Sequence, residues 1–261
     1  MWQAAHSLPP YAIADFALAS FRMSSVSILA IAAHRDDVEL TCGGTLIKAA
    51  RQGHSTAIID LTQGETGTRG SAELRGTEAE RAAAVMGVRE RTNLGLPDAG
   101  LVNTPEVRAR LAREIRRLGP RVVIAPAPEG RHPDHRIAAQ LVHDACFVAG
   151  LAKIEPDVPK HRPHKLLYAL TYREYAPKPT FVVDVSDVFE TKLEAIRCYG
   201  SQFENVTQAG EVYPNGEPLL DIVRHQAAHY GSLIRTMYGE PFFTMETMRV
   251  DDVTQLEVST F

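Results

Sequence analysis

Short apolar runs alternate with amphipathic stretches over the first two thirds of the chain. The apolar runs predict four buried strands, at residues 27–33, 57–61, 92–96 and 121–125. The stretches after them predict helices at about 39–52, 73–86, 104–119 and 136–148. Strands that alternate with helices form a mostly parallel sheet with helices on both faces, so the pattern predicts a Rossmann-like α/β fold. Right-handed crossovers then place the first and fourth strands side by side at the centre.

The pattern changes after Pro156, where several prolines interrupt it. Two further strands are predicted at about 166–171 and 180–185, and two helices near 187–199 and 218–238. The sequence contains no internal repeat and no linker-like tract. We therefore expect residues 23–261 to form one domain with a C-terminal α/β elaboration.

The first 22 residues precede this pattern. They are mildly apolar, but Pro9, Pro10 and Asp15 interrupt them, and they lack the basic start of a secretory signal. Met23 lies just before the first predicted strand. We expect residues 1–22 to be a loosely ordered N-terminal extension.

Composition and charge restrict the class of protein. The 261 residues carry a formal net charge of −4, which gives no basic field for a nucleic-acid backbone. No apolar stretch reaches the roughly 20 residues that cross a bilayer, so we expect no membrane partner. Cys42, Cys146 and Cys198 are widely spaced and form no CxxC pair. This cysteine usage is typical of a reducing compartment and predicts a cytoplasmic protein.

Two clusters of imidazoles and carboxylates follow the first and fourth predicted strands. The first is His-Arg-Asp-Asp at residues 34–37, and the second is Arg-His-Pro-Asp-His at residues 131–135. In an open α/β sheet, ligands bind outside the carboxyl ends of the strands, at the point where strand order reverses. If the two strands are neighbours there, both clusters converge on one pocket.

The spacing of these residues indicates a catalytic metal site. A catalytic zinc has three protein ligands and an open position for water. His34 and Asp37 are spaced so that one loop wraps a cation, and His135 is the best candidate for a distant third ligand. Asp36 then lies next to a ligand without being needed for coordination, so it is free to accept a proton from water. Each motif alone is a weak signal, whereas their joint placement after two strands is specific.

The paired HxDD and HPDH motifs resemble the LmbE/PIG-L superfamily of zinc-dependent N-acetylglucosamine deacetylases. Further segments are similar to family blocks, and the resemblance covers about residues 27–240. These segments are residues 43–46, 60–62, 73–75, 93–98 and 201–203. The resemblance is strongest to the bacillithiol-biosynthesis branch, which deacetylates N-acetylglucosaminyl-malate. It also implies a homo-oligomer such as a hexamer.

The resemblance assigns a role to each motif residue. The implied metal ligands are His34, Asp37 and His135. Asp36 is implied to be the general base. His132 is implied to stabilise the oxyanion or to act as an acid, oriented by Asp134. Arg75 is similar to an arginine that contacts the substrate.

Arginines surround the predicted pocket. We expect Arg75 and Arg131 to bind substrate, because a forked guanidinium suits a carboxylate or phosphate. This predicts a small anionic N-acetylglucosamine conjugate, as malate would provide. Arg35 stands where the family usually has proline, which would stiffen the loop. We expect the Arg35 guanidinium to point to solvent, with recognition of an anionic substrate as the alternative.

Two other functions fit part of this pattern. Two histidines and one carboxylate are also the ligands of iron(II) oxygenases, although alternating strands and helices argue against that class. A non-catalytic sugar-binding module or a structural metal site leaves Asp36 unexplained. We therefore predict a metal-dependent N-deacetylase, with zinc as the metal and iron(II) as its alternative. The sequence leaves the aglycone open between malate, inositol and chitin-type acceptors.

Overall fold

The structure of the protein is a computed structural model that describes residues 25–154, 157–170, 177–203 and 219–258. The expected N-terminal extension, residues 1–22, lies outside the described residues, and the single domain of residues 23–261 stays a prediction. The strands are β1 (Ile28–Ala32), β2 (Thr56–Thr62), β3 (Glu90–Leu96), β4 (Val122–Pro126), β5 (Lys165–Ala169), β6 (Phe181–Asp184) and β7 (Gly239–Phe243). The helices are α1 (Asp37–Thr41), α2 (Gly43–Arg51), α3 (Ala72–Met86), α4 (Pro105–Leu118), α5 (Pro133–Ala149), α6 (Phe189–Arg197), α7 (Gly200–Phe203) and α8 (Leu219–Leu233). None of these helices is long and apolar enough to cross a membrane.

The strands form one mostly parallel sheet in the order β3-β2-β1-β4-β5-β7-β6. β1 pairs in parallel with β2 on one side and β4 on the other, so that Ile28 lies opposite both Thr56 and Val122. β5 continues the parallel part, and β7 runs antiparallel between β5 and β6. The predicted α/β fold is confirmed, and the C-terminal part of the chain extends the same sheet.

Alternate residues of the central strands face two separate hydrophobic cores. Because side chains alternate along a strand, Ala30 and Ile58 point into one core and Leu29 and Ile59 into the other. The first core packs against α2, α3, α6 and α8, and the second against α4 and α5. All seven residues of β2 are buried, as expected for a strand that is covered on both faces.

The single helix predicted at residues 39–52 is two helices in the structure. The chain breaks at Cys42 (φ −139°, ψ 16°), between α1 and α2. The Glu240 carboxylate accepts hydrogen bonds from the backbone N–H groups of Gly44 at 2.8 Å and Thr45 at 2.7 Å. A carboxylate from β7 therefore caps α2, which needs a partner for its first N–H groups.

β7 has no counterpart among the predicted strands. The sequence predicts a helix through residue 238, but α8 ends at Leu233 and β7 follows. Pro241 argues against an interior strand, because proline has no N–H group for the ladder. In the structure, the Pro241 carbonyl still accepts a hydrogen bond from the Leu170 N–H at 3.1 Å.

The carboxyl ends of β1 and β4 lie where strand order reverses. From this point β2 and β3 extend the sheet beyond β1, and β5 extends it beyond β4. Ligand sites of open α/β sheets lie in this crevice. Residues 34–37 follow β1 and residues 131–135 follow β4, so the fold brings the two clusters together.

Candidate metal centre

The first cluster lies in the turn between β1 and α1. The Asp37 carboxylate accepts a hydrogen bond from the backbone N–H of His34 at 2.9 Å, which closes the turn. Asp36 has φ 102° and ψ −27°, a left-handed conformation that residues other than glycine rarely adopt. The turn therefore presents two successive carboxylates at the end of β1.

The second cluster lies at the start of α5. His132 is the N-cap residue, and its Nδ1 accepts a hydrogen bond from the backbone N–H of Asp134 at 3.2 Å. Burial lowers the pKa of His132, and the charges of His34 and His135 lower it further, which favours the neutral ring. With Nδ1 as acceptor, the proton of the neutral ring is on Nε2, which is then a hydrogen-bond donor.

Side chains from both clusters meet at Asp37. Oδ2 of Asp37 lies 3.3 Å from Nδ1 of His34 and 3.2 Å from Nε2 of His135. The ring centroids of His34 and His135 are 5.3 Å apart. One carboxylate oxygen between two imidazole nitrogens is a donor set that suits a divalent metal ion. The three residues that the sequence proposes as metal ligands are thus in contact.

The electrostatics of these residues favour a bound cation. Burial alone would raise the pKa of Asp37, but the charge of His135 and hydrogen bonds with His135 and His34 hold it well below its usual value. Burial lowers the pKa of His34, but the hydrogen bond to Asp37 and nearby carboxylate charges raise it to about 9. Surroundings that retain a proton on His34 also attract a metal ion in place of that proton.

The other ring nitrogen of His34 faces two further carboxylates. Nε2 of His34 lies 3.1 Å from Oδ1 of Asp98 and 3.4 Å from Oδ2 of Asp134. A histidine ligand usually donates its second ring N–H to a carboxylate, which fixes the orientation of the ring. Asp98 and Asp134 are placed to do this for His34.

Two groups of side chains at this site could each hold a metal ion, and His34 belongs to both. One donor atom each from His34, His132 and His135 lies within 4.8 Å of the others, and the same holds for His34, Asp98 and Asp134. In the second group, Asp98 Oδ2 already accepts hydrogen bonds from the Thr66 N–H and hydroxyl, at 2.9 and 2.7 Å. Asp134 likewise accepts hydrogen bonds from two backbone N–H groups, those of Ala99 at 2.8 Å and Leu101 at 3.3 Å. These carboxylates are better suited to orienting His34 than to binding a metal ion.

This arrangement differs from the sequence expectation at two residues. The Asp134 carboxylate was expected to orient His132, but it contacts His34, and the backbone N–H of Asp134 meets His132 instead. Asp98 was not among the proposed site residues. Its signal in the sequence is its position two residues after Leu96, the last residue of β3, which makes it a third carboxyl-end residue.

Asp36 lies beside Arg75 at the edge of this centre. Nη2 of Arg75 is 3.5 Å from Oδ2 of Asp36. Burial raises the pKa of Asp36 to about 7, against the lowering effect of the Arg75 charge. A carboxyl group with a pKa near neutrality is suited to accept and return a proton at physiological pH.

The three arginines of the predicted pocket have different surroundings. Arg75 is 5% exposed and donates hydrogen bonds to the backbone carbonyls of Gly64 at 3.0 Å and Arg35 at 2.9 Å. Arg131 is exposed. The Arg35 guanidinium does not simply point to solvent, because its Nη1 donates to the Ala72 carbonyl at 2.5 Å. Substrate contacts of Arg75 and Arg131 stay predictions.

The fold and these residues define an α/β protein with a candidate metal centre at its topological switch point. The family model described as PIG-L, GlcNAc-PI de-N-acetylase, matches residues 29–146, which contain both clusters. A diacetylchitobiose deacetylase from Thermococcus kodakarensis is 34% identical over 227 residues, 82% of this chain and 80% of the relative. The chain belongs to the PIG-L family. Members of this family are metal-dependent amide hydrolases, and the chain is an enzyme of this class.

Two solved structures have a similar fold over most of the chain. A conserved protein from Thermus thermophilus superposes with a TM-score of 0.77 at 37% identity, covering 87% of this chain and 98% of that one. The N,N'-diacetylchitobiose deacetylase from Pyrococcus horikoshii, in complex with its inhibitor MPG, gives a TM-score of 0.71 at 26% identity. That match covers 91% of this chain and 93% of the other.

Proposed function

We propose that the protein removes acetate from an N-acetylglucosamine conjugate and that His34, Asp37 and His135 hold its metal ion as zinc. The observation that carries this proposal is the Asp37 carboxylate, 3.3 and 3.2 Å from the two imidazoles, with Asp36 next to it. Zinc with three such ligands and one open position is the usual catalytic arrangement, and iron(II) also fits these ligands. When bound, the metal lowers the pKa of a water molecule and polarises the amide carbonyl.

Asp36 is the proposed general base. It follows His34 by two residues and precedes Asp37, so its carboxylate lies at the centre without being required as a ligand. The left-handed backbone at φ 102° and the Arg75 guanidinium at 3.5 Å fix its position. Asp36 accepts the proton of the attacking water molecule.

His132 is the proposed donor to the developing oxyanion. The Asp134 N–H occupies Nδ1 of His132, so Nε2–H is the donor, and the His132 ring centroid is 4.7 Å from that of His34. A pre-oriented donor at the position where negative charge develops lowers the barrier to amide hydrolysis. Protonated Asp36 then returns its proton to the departing amine, because His132 is held as the neutral ring.

Asp134 and Asp98 are the proposed positioning residues of the centre. The Asp134 backbone N–H sets the tautomer of His132, and its carboxylate contacts His34 together with that of Asp98. Removal of such a partner weakens metal binding or activity, since the ligand ring loses its fixed orientation.

The acceptor attached to the sugar has three candidates, which are malate, inositol and a chitin-type sugar. The resemblance of the sequence favours malate, with Arg75 and Arg131 binding its carboxylates. Two relatives are named as diacetylchitobiose deacetylases, which favours a chitin-type acceptor, and another is named as a deacetylase of an inositol conjugate. Arg75 already donates to two backbone carbonyls and contacts Asp36, which supports an acceptor other than malate. A cytoplasmic location and a homo-oligomeric state such as a hexamer stay predictions.

The deciding experiment measures acetate release from a panel of N-acetylglucosaminides, with metal content determined on the same samples. The panel contains N-acetylglucosaminyl-malate, the inositol conjugate and diacetylchitobiose, each with zinc, with iron(II) and with a chelator. We expect acetate release that the chelator abolishes and zinc restores. Oxygen uptake with iron(II) and no acetate would favour the oxygenase class. Metal binding without turnover of any substrate would favour a non-catalytic module.

A further inference from the structure

Two arginine side chains link the turn between β1 and α1 to the first turns of α3. One arginine comes from each segment and donates a hydrogen bond to a backbone carbonyl of the other. Nη1 of Arg35, in the β1–α1 turn, donates to the backbone carbonyl of Ala72 at 2.5 Å. In the other direction, Nη2 of Arg75, in α3, donates to the backbone carbonyl of Arg35 at 2.9 Å. Two hydrogen bonds that run in opposite directions therefore tie the two segments together.

Arg75 is held by a third segment as well. Its Nη1 donates to the Gly64 carbonyl at 3.0 Å, in the loop between β2 and α3. Gly64 has φ 71°, and a side chain at this position would overlap the Arg75 guanidinium. The Arg75 guanidinium is thus held by two segments, the β1–α1 turn and the loop after β2. The Arg35 guanidinium is held by α3.

Gly76 provides the space that the Arg35 guanidinium occupies. A Cβ atom at Gly76 would lie 3.3 Å from Nη1 and 3.5 Å from Cζ of Arg35. Glycine in the interior of a helix lowers the stability of the helix relative to alanine, so a close packing contact is expected at Gly76 in α3. Close contact with the Arg35 guanidinium provides that reason.

We propose that Arg35 is a positioning residue for Asp36. The Arg35–Ala72 hydrogen bond ties the side chain of the residue before Asp36 to α3, and Asp36 has the left-handed φ of 102°. Such a backbone conformation persists only when its surroundings enforce it. The inference rests on the proposed role of Asp36 as the base, and it gives Arg35 a function other than substrate recognition or solvation.

Substitution of Arg35 tests this role, because a positioning residue should affect kcat and a substrate-binding residue should affect KM. We expect Arg35→Ala to lower kcat about tenfold with KM within about twofold, because the base is misplaced while substrate contacts remain. Arg35→Lys should recover part of the loss, since its ammonium can still donate to Ala72. Arg81→Ala is the matched control, because Arg81 donates to the Thr77 carbonyl within α3 and does not reach the turn. A KM effect without a kcat effect would overturn the proposal in favour of substrate binding.

Gly76→Ala tests the same contact from the helix side. Alanine favours the helix, so we expect Tm to equal or exceed that of the wild type. The added Cβ crowds Arg35, so kcat should fall about threefold in the wild-type background and stay unchanged in the Arg35→Ala background. Equal effects in the two backgrounds would contradict a direct coupling of Gly76 with Arg35.

Hydrogen exchange in the metal-free protein separates this inference from the proposed function. We expect amides of residues 34–40 to exchange several-fold faster in Arg35→Ala than in the wild type and in Arg81→Ala. Unchanged exchange would overturn the role of Arg35 whether or not the wild type deacetylates any substrate. If the wild type lacks deacetylase activity but exchange is faster in Arg35→Ala, the positioning role of Arg35 is supported and the proposed function fails.

Discussion

Two regions of the molecule that bury charged side chains differ in how those charges are balanced. Behind α2, Nζ of Lys192 lies 2.6 Å from Oε1 of Glu240 and donates to the Leu40 carbonyl at 3.0 Å. Glu240 also accepts hydrogen bonds from Gly44 and Thr45. We call Lys192 and Glu240 the interior pair. Each of its charges has its partner within the chain.

The candidate metal centre is not balanced in this way. Four buried or half-buried carboxylates meet there, and their positive contacts among the described residues are Arg75 and, when protonated, His34 and His135. The carboxylates are Asp36, Asp37, Asp98 and Asp134. An excess of buried negative charge is unfavourable unless a cation offsets it. The charges of the interior pair are thus balanced within the chain, whereas those of the candidate metal centre are suited to an ion from outside it.

The largest expected effect separates chemistry from metal binding within the centre. Asp36→Ala should lower kcat by about 10²–10⁴-fold, because it removes the proposed general base. Bound metal should stay near the wild-type level, since Asp36 is not a proposed ligand. Acetate release and metal content measured on one preparation check both statements. Loss of the metal together with activity would mean that Asp36 is a ligand.

Disruption of the interior pair should affect stability instead of chemistry. Glu240→Gln leaves the buried Lys192 charge without its partner, and we expect a loss of about 3–5 kcal/mol in the free energy of unfolding. Urea unfolding measures this loss. Glu246→Gln, an exposed change just beyond β7, is the matched control and should have little effect. A stability unchanged by Glu240→Gln would remove the contrast between the two regions.

The imbalance of the metal centre should appear as a pH dependence of the metal-free protein. Its folded state raises the pKa of His34 from 6.5 to about 9. A raised pKa gives stability that is fully present below about pH 6.5 and is lost as pH rises through about 9. Relative to His34→Gln, the wild type should lose on the order of 3 kcal/mol across this window. Urea unfolding at both ends of the window checks the difference, and equal slopes for the two proteins would contradict it.

The sequence predicts those features of the fold and site that follow from the local hydrophobic pattern and a few rules of sheet topology. Strands β1 to β6, the central pair β1 and β4, and the meeting of His34 with His135 follow from apolar runs, strand ends and the rule for switch points. The adjacency of β1 and β4 then needs no knowledge of individual contacts.

What the sequence does not predict depends on contacts between distant positions. Glu240 caps α2 by accepting a hydrogen bond from Gly44, 196 residues earlier in the chain. The Arg35 side chain donates a hydrogen bond to Ala72, 37 residues later, whereas the sequence predicted a solvated side chain or, as the alternative, one that recognises an anionic substrate. Asp98 reaches His34 because β3 ends near the centre, two strands away from β1. Residue type alone indicates none of these partners.

The smallest expected effect concerns Glu39, which lies in α1 two residues after Asp37. The Glu39 carboxylate is fully buried, and its Oε1 accepts hydrogen bonds from Arg91 at 2.6 Å and from the Tyr199 hydroxyl at 3.0 Å. Tyr199→Phe removes one of these donors while Arg91 remains, so we expect stability to fall by about 1–2 kcal/mol. Because the Tyr199 hydroxyl is engaged with Glu39, kcat should stay within about twofold of the wild type. Urea unfolding and acetate release test both parts, and a tenfold loss of kcat at unchanged stability would instead place the Tyr199 phenol at the reacting carbonyl.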